Sequence, residues 1–157
     1  DLKRFSRLTR GNLIIVGRHT LESFKDKKPL PDRINVVLTR DKNYNCEGAI
    51  IVHDLDSLFE FIQAYTGLIY VCGGEAVYRQ LLPYCCKALI TRIDEIFEAD
   101  AFLTDLDKAP DWIKIIQGRW QKSEAGVLFR YDEYDRVRLT RKELYYGGKK
   151  TGQTAWY

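Results

Sequence analysis

The chain has 157 residues, enough for one domain and for a core that needs no metal or disulfide staple. Its 45% hydrophobic and 30% charged residues exclude disordered, collagenous and low-complexity classes. Net charge is +3, but residues 137–157 hold five basic residues against one acidic, so 1–136 is near neutral and a nucleic-acid-binding body is not indicated. No apolar run approaches the roughly 18 residues needed to cross a bilayer, and no signal peptide opens the chain. A cytoplasmic protein with no membrane partner is expected. There is no Met, so Asp1 is not read as a translation start.

Elements follow in chain order. Residues 1–10 (DLKRFSRLTR) space Leu2, Phe5 and Leu8 as a helix does. Residues 13–16 (LIIV) suit a strand buried on both faces. A short helix over 20–24 is broken by Pro29 and Pro31. Strands are expected at 34–38 and 49–52. An amphipathic helix spans 55–65, with Asp54 as its cap. A strand over 68–72 leads into a helix over 75–82 that Pro83 stops, and 88–93 is another strand. Strand-like segments at 112–120 and 127–134, turning at 123–126, predict an antiparallel hairpin. The alternation gives an α/β fold: three layers, a mainly parallel central sheet and a C-terminal antiparallel hairpin. Residues 1–136 form the domain, and 137–157 reads as a basic tail.

Cys46, Cys72, Cys85 and Cys86 form no C-x-x-C pair, and His19 and His53 lie far from a second ligand, so no metal site is expected. Reduced thiols are the plain expectation. Three strand ends carry anion-binding character: Gly17-Arg18-His19-Thr20, Leu38-Thr39-Arg40, and Gly73-Gly74-Glu75-Ala76. Backbone N–H groups at a helix start, approached closely over glycine, hold phosphate. A hydroxyl beside a guanidinium holds a phosphate monoester. A lone Gly-Gly is more often just a tight turn, and no G-x-G-x-x-G is present. Three such junctions on one sheet edge suit a ligand with several phosphates.

These pieces, in order, resemble dihydrofolate reductase. The stretches are DLKRF (1–5), IIVGRHTLESF (14–24), KPLPDRINVVLTR (28–40), IYVCGGEAVYRQLLP (69–83), LITRIDEIFEADAF (89–102) and WQKSEAGVLFRYDEYDR (120–136). The resemblance implies NADPH-dependent reduction of 7,8-dihydrofolate to tetrahydrofolate, with hydride transfer to C6 and protonation at N5. It implies a monomer that takes dihydrofolate and antifolate inhibitors.

By resemblance, Asp1 is the buried acid that orients the pterin; its plain alternative is a helix cap. Phe5 packs on the substrate rings, and Leu2, Phe24 and Leu30 form apolar walls. Arg33 meets the glutamate α-carboxylate, and Thr91 hydrogen-bonds behind the acid. Each has a bland alternative: core, surface salt bridge or strand former. Gly17, Arg18, His19, Thr20, Leu38, Thr39 and Arg40 would hold cofactor phosphates, the last two favouring NADPH. The resemblance gives Gly73 and Gly74 a cis peptide and sets Glu75, Ala76 and Val77 along the pyrophosphate. It puts Tyr78 near the nicotinamide, Gln80 toward the adenine, and Cys72 where both ligands meet.

The family has a segment before the acid, supplying a central strand and a mobile loop. The first expectation is that such a segment precedes Asp1. A truncated domain is the second reading. The third is a permuted one, in which GGKKTGQTAWY (147–157) supplies the missing part, although this tail has no clear apolar strand. Functional alternatives are a related reductase of another pteridine or a ribosylated pyrimidine, and a non-catalytic NADPH-binding module.

Overall fold

The computed structural model describes residues 1–137 and the strand 154–156. The rest of the basic tail read from the sequence lies outside the described residues. Among the described residues nine strands form one sheet in the order β3-β2-β1-β4-β9-β5-β8-β6, with β7 pairing β8. Its strands are β1 (Leu13–Gly17), β2 (Ile34–Leu38), β3 (Ala49–Val52), β4 (Ile69–Val71), β5 (Lys87–Ile93), β6 (Trp112–Gln117), β7 (Gln121–Lys122), β8 (Leu128–Arg136) and β9 (Thr154–Trp156). From β3 across to β5 every neighbouring pair is parallel. From β5 outward the pairs are antiparallel.

Alternation along β1 builds two cores. Leu13 and Ile15 join Val36, Ile69 and Val71 beneath Leu58, Val77 and Leu81. Ile14 packs on the other face with Tyr70 and Leu89, and Val16 with Leu21 and Val37. Side chains of a strand point to opposite faces in turn, so one continuous apolar run feeds both. The helices are α1 (Leu2–Thr9), α2 (Arg18–Glu22), α3 (Leu55–Ile62) and α4 (Glu75–Leu81). Leu58 of α3 and Val77 and Leu81 of α4 belong to the first core, Leu21 of α2 to the opposite one, so helices cover both faces in three layers.

Some boundaries differ from expectation. Helix α2 starts at Arg18 rather than at Thr20, because Gly17 already has the extended cap conformation. Helix α3 stops at Ile62, three residues early, while Asp54 does cap it, accepting from Ser57 N at 2.8 Å. Pro83 does not end the chain's turning. Residues Leu82–Tyr84 continue as a 3-10 turn, where the missing proline N–H is tolerated at its start. The hairpin turn closes by Gly126 N donating to Ser123 O, with Gly126 at φ +87°. Thr154–Trp156, within the segment read as tail, runs as a strand between β4 and β5.

Candidate functional site

Strands β1, β2 and β4 end at one edge, and their following residues enclose a groove of about 750 Å³. The groove brings together Gly17, Arg18, His19, Thr20, Leu38, Thr39, Arg40, Gly74, Glu75, Ala76, Val77 and Gln80, from all three predicted junctions. Its floor is close backbone. Gly17 N donates to Gly73 O at 2.7 Å, and a Cβ at Gly17 would meet Val77 Cγ2 at 3.1 Å. Gly73 has φ +104°, which L side chains rarely adopt, and the Gly73–Gly74 peptide is cis, as the resemblance implied.

The cations are partly committed. Arg18 Nη1 donates to Asp41 Oδ2 at 3.3 Å, and Arg18 pairs with Glu22 at 4.0 Å. His19 is exposed beside Glu22. Arg40 is exposed and pairs with no carboxylate among the described residues. Glu75 forms an ion pair with Arg79 one turn on. Gln80 folds back, its Nε2 donating to Ala76 O at 2.9 Å, rather than reaching across the groove.

Sequence reasoning gave no site role to four groove residues, Asp41, His53, Asp54 and Arg79. His53 Nδ1 lies 3.0 Å from Thr39 O, so Nδ1 carries the proton and donates. The signal was available: β3 pairs β2 in parallel with Val52 opposite Leu38, so the next residue of each lies at the same edge.

A second set of predicted residues gathers around α1. Thr91 Oγ1 donates to Asp1 Oδ1 at 3.1 Å, joining the start of α1 to β5. Asp1 is exposed here rather than buried, and it makes no side-chain cap to its helix. Arg33 is held by four hydrogen bonds: Nε to Thr9 Oγ1 at 2.8 Å, Nη1 to Pro31 O at 2.6 Å, and Nη2 to Ser6 O and Oγ at 3.2 and 3.1 Å. Partial burial, with Arg10 nearby, draws its pKa down from the ordinary guanidinium value. Its guanidinium carbon lies 5.9 Å from the Phe5 ring centre.

Buried Asn35, also missed, clamps the preceding turn. It accepts from Leu30 N at 2.9 Å and donates to Leu30 O at 2.9 Å. Leu30 and Phe24 pack on the cores of this face. Leu2 does not: its side chain is 84% exposed and forms no wall in this structure.

Cys72 links the two sets. It packs against both cores on the α1 face, and burial pushes its thiol pKa well up, so it stays a neutral, small apolar group. Tyr78 lies against Gly73, and burial likewise raises its phenol. Register fixes the spacing between the sets. Val71, Trp156 and Ala88 are level across β4, β9 and β5, so Thr91, three residues further along β5, lies toward the same carboxyl end of the sheet as the glycine pair that follows β4. β5, which carries Thr91, is two strand positions from β4, which leads into the glycine pair. Among the described residues no His, Cys, Asp or Glu cluster is arranged to hold a metal, and no helix is long and apolar enough to cross a membrane.

Fold and groove define a class: an α/β protein with a groove at the carboxyl edge of its parallel strands, lined by glycines, hydroxyls and guanidinium groups. The family model for dihydrofolate reductase matches residues 1–136. The dihydrofolate reductase of Staphylococcus haemolyticus is 32% identical over 139 residues, covering 88% of this chain and 81% of that one. That of Mycobacterium leprae is 31% identical over 140 residues, 87% and 82% of the two chains. The solved dihydrofolate reductase of Enterococcus faecalis, complexed with NADP(H) and RAB-propyl, superposes with a TM-score of 0.78 at 30% identity, covering 88% and 82%. The chain belongs to the dihydrofolate reductase family.

Proposed function

We propose that the chain reduces 7,8-dihydrofolate to tetrahydrofolate with NADPH. The observation that carries this is the register: the Asp1–Thr91 pair on β5 and the Gly73–Gly74 junction after β4 lie toward the same carboxyl end of the sheet, two strand positions apart. A flat heterocycle held by the acid would lie against a nicotinamide lodged by the glycines. The names of the relatives, and the NADP(H) bound to the Enterococcus faecalis enzyme, support the reading.

NADPH, when bound, supplies a hydride for C6 of the pterin, while N5 takes a proton. The chain's residues align and bias. Asp1 accepts from the pterin 2-amino group and the adjacent ring N–H; two parallel charge-assisted bonds fix the ring plane. Its negative charge favours protonation of the pterin. Thr91 orients the carboxylate by donating to Oδ1. Phe5 packs on the rings, with Phe24, Leu30 and Cys72 as apolar walls that exclude water.

Arg33, pinned by Thr9, Pro31 and Ser6, still has an Nη1–H for the glutamate α-carboxylate. Thr39 and exposed Arg40 hold the 2′-phosphate, with His53 beside them. N–H groups at the starts of α2 and α4, with Arg18, hold the pyrophosphate.

The test is dihydrofolate-dependent loss of NADPH absorbance by the purified chain, run beside a pterin lacking the glutamate tail. Turnover that prefers the full substrate supports the reading. NADPH binding without turnover would make the chain a nucleotide-binding module, and preference for the tail-less pterin would make it a different pteridine reductase.

A further inference from the structure

We propose that Asp41 is a positioning residue for the cofactor: its carboxylate holds the Arg18 guanidinium toward the groove, against the competing pull of Glu22, and so raises the affinity for the dinucleotide's pyrophosphate. The inference rests on the cofactor reading above and gives a role to an acid that acts through Arg18. Strand register brings the two residues together. Gly17 is opposite Leu38, so Arg18 and Thr39 leave the sheet side by side, and Asp41 follows two residues on.

The loop after β2 fixes the acid. Asp41 N donates to Thr39 Oγ1 at 3.2 Å, and Asp41 O accepts from Tyr44 N at 3.3 Å. Asp41 Oδ1 accepts from Asn43 N at 3.0 Å, a side chain closing a turn on its own following backbone. Tyr44 anchors that turn by packing on Val16, Leu21 and Val37. With Oδ1 held in this way, Oδ2 is aimed at Arg18 and accepts from its Nη1 at 3.3 Å.

A second acid competes for the same guanidinium. Glu22 Oε1 lies 4.0 Å from Arg18 Nε, one turn along α2. Asp41 lines the groove and Glu22 does not, so the two acids draw Arg18 in different directions. Asp41 has the stronger hold, since its contact is the shorter and Glu22 also pairs with His19 at 3.4 Å. A half-exposed ion pair adds little to stability; what it removes is the freedom of a long side chain. An arginine already held need not be ordered when an anion arrives, and it still has N–H groups on Nη1 and Nη2 to offer. At long range the Asp41 charge itself repels phosphate, so positioning and plain repulsion predict opposite signs when that charge is removed.

Titration calorimetry of the full chain with NADPH and with NADH tests this. Asp41→Asn keeps an acceptor for Asn43 N and turns an N–H toward Arg18 in place of an oxygen, so the turn stays and the tether goes. It should raise Kd about 3- to 10-fold, the cost of ordering one rotamer-rich side chain. Both cofactors should lose by the same factor, because both carry the pyrophosphate. Adding Glu22→Gln removes the competing pull and should recover at least about 2-fold, more than Glu22→Gln gives on its own. In an Arg18→Gln background Asp41→Asn should shift either Kd by less than about 2-fold.

Tighter binding in Asp41→Asn would show that the acid merely repels phosphate, and would overturn the proposal. So would unchanged binding, a loss confined to NADPH, a loss that persists in the Arg18→Gln background, or no added gain from Glu22→Gln. In each of those cases the cofactor reading stands. An unaltered chain that binds no NADPH would overturn that reading and this inference together.

Discussion

Replacing Asp132 by Ala should be among the most damaging single changes to this chain. Asp132 is fully buried on β8. Its carboxylate accepts from Arg92 Nε at 3.0 Å, Arg130 Nε at 3.1 Å and Gly118 N at 3.2 Å, with Lys114 Nζ at 3.6 Å. Charge-assisted hydrogen bonds contribute about 1.5–3 kcal/mol each. Without the acid, three cations converge on one buried point, and breaking a buried pair by removing one partner costs about 3–5 kcal/mol. A domain of this size loses about 2–4 °C of Tm per kcal/mol, so Tm should fall by about 6–20 °C. Thermal and urea unfolding followed by circular dichroism reads this directly. Asp132→Asn, which keeps an acceptor for Gly118 N, should lie between wild type and Ala. A fall of less than about 2 °C in Asp132→Ala would refute the idea that this carboxylate organises the antiparallel half of the sheet.

Other outcomes follow from the site. Arg40→Gln should raise KM for NADPH about 10- to 150-fold, the worth of one charge-assisted contact, and leave KM for NADH almost unchanged; equal effects would remove Arg40 from the 2′-phosphate. Thr91→Val should lower kcat/KM for dihydrofolate about 3- to 10-fold, with NADPH affinity unchanged by titration calorimetry. Asp1→Asn should lose most of the rate at neutral pH, and an unaffected rate would contradict its role.

The pH dependence of stability should carry the mark of Asp107 and Lys114. Their mutual hydrogen bond is the main cause that holds the Asp107 carboxyl below its usual range and the Lys114 ammonium above its own. The depressed acid contributes stability above its unfolded pKa of about 3.9 and loses it as pH falls through the folded value. The raised base contributes below about 10.4 and loses it as pH climbs through its folded value. The pair's contribution is therefore flat between and shrinks at both ends, and Asp107→Asn should flatten the acid limb in urea titrations at stepped pH. The effect should be modest, because both groups reach solvent.

Much of the fold was legible because β1, β2 and β3 are short apolar runs closed by turn chemistry, and that pattern needs no distant partner to read. The three groove junctions could be read for the same reason: glycine, hydroxyl and guanidinium stand directly after those strands. Strand β9 was reached from the sequence only through the third reading, in which residues 147–157 supply the missing part. Thr154, Ala155 and Trp156 carry no both-face apolar run, and their pairing depends on a gap between β4 and β5, far away in sequence. Asp41, His53 and Asn35 were missed because a single polar residue in a loop or strand shows no periodicity; Asp41 and His53 act through distant contacts with Arg18 and Thr39, and Asn35 through a nearby turn at Leu30 whose shape no periodicity encodes. Leu2 fits the helical spacing of Phe5 and Leu8, yet spacing cannot say whether anything lies opposite, and Leu2 is exposed. Asp1 was paired correctly with Thr91 in space, but its exposure depends on what surrounds α1, which local pattern does not encode.

A crystal structure of the full chain with oxidised cofactor and folate tests the central claim most directly. The account predicts the pterin 2-amino group within hydrogen-bond distance of the Asp1 carboxylate, and the nicotinamide C4 about 3–3.5 Å from pterin C6 beside Gly73 and Gly74. Asp1 directed into bulk solvent, or a pterin bound away from that sheet edge, would contradict it.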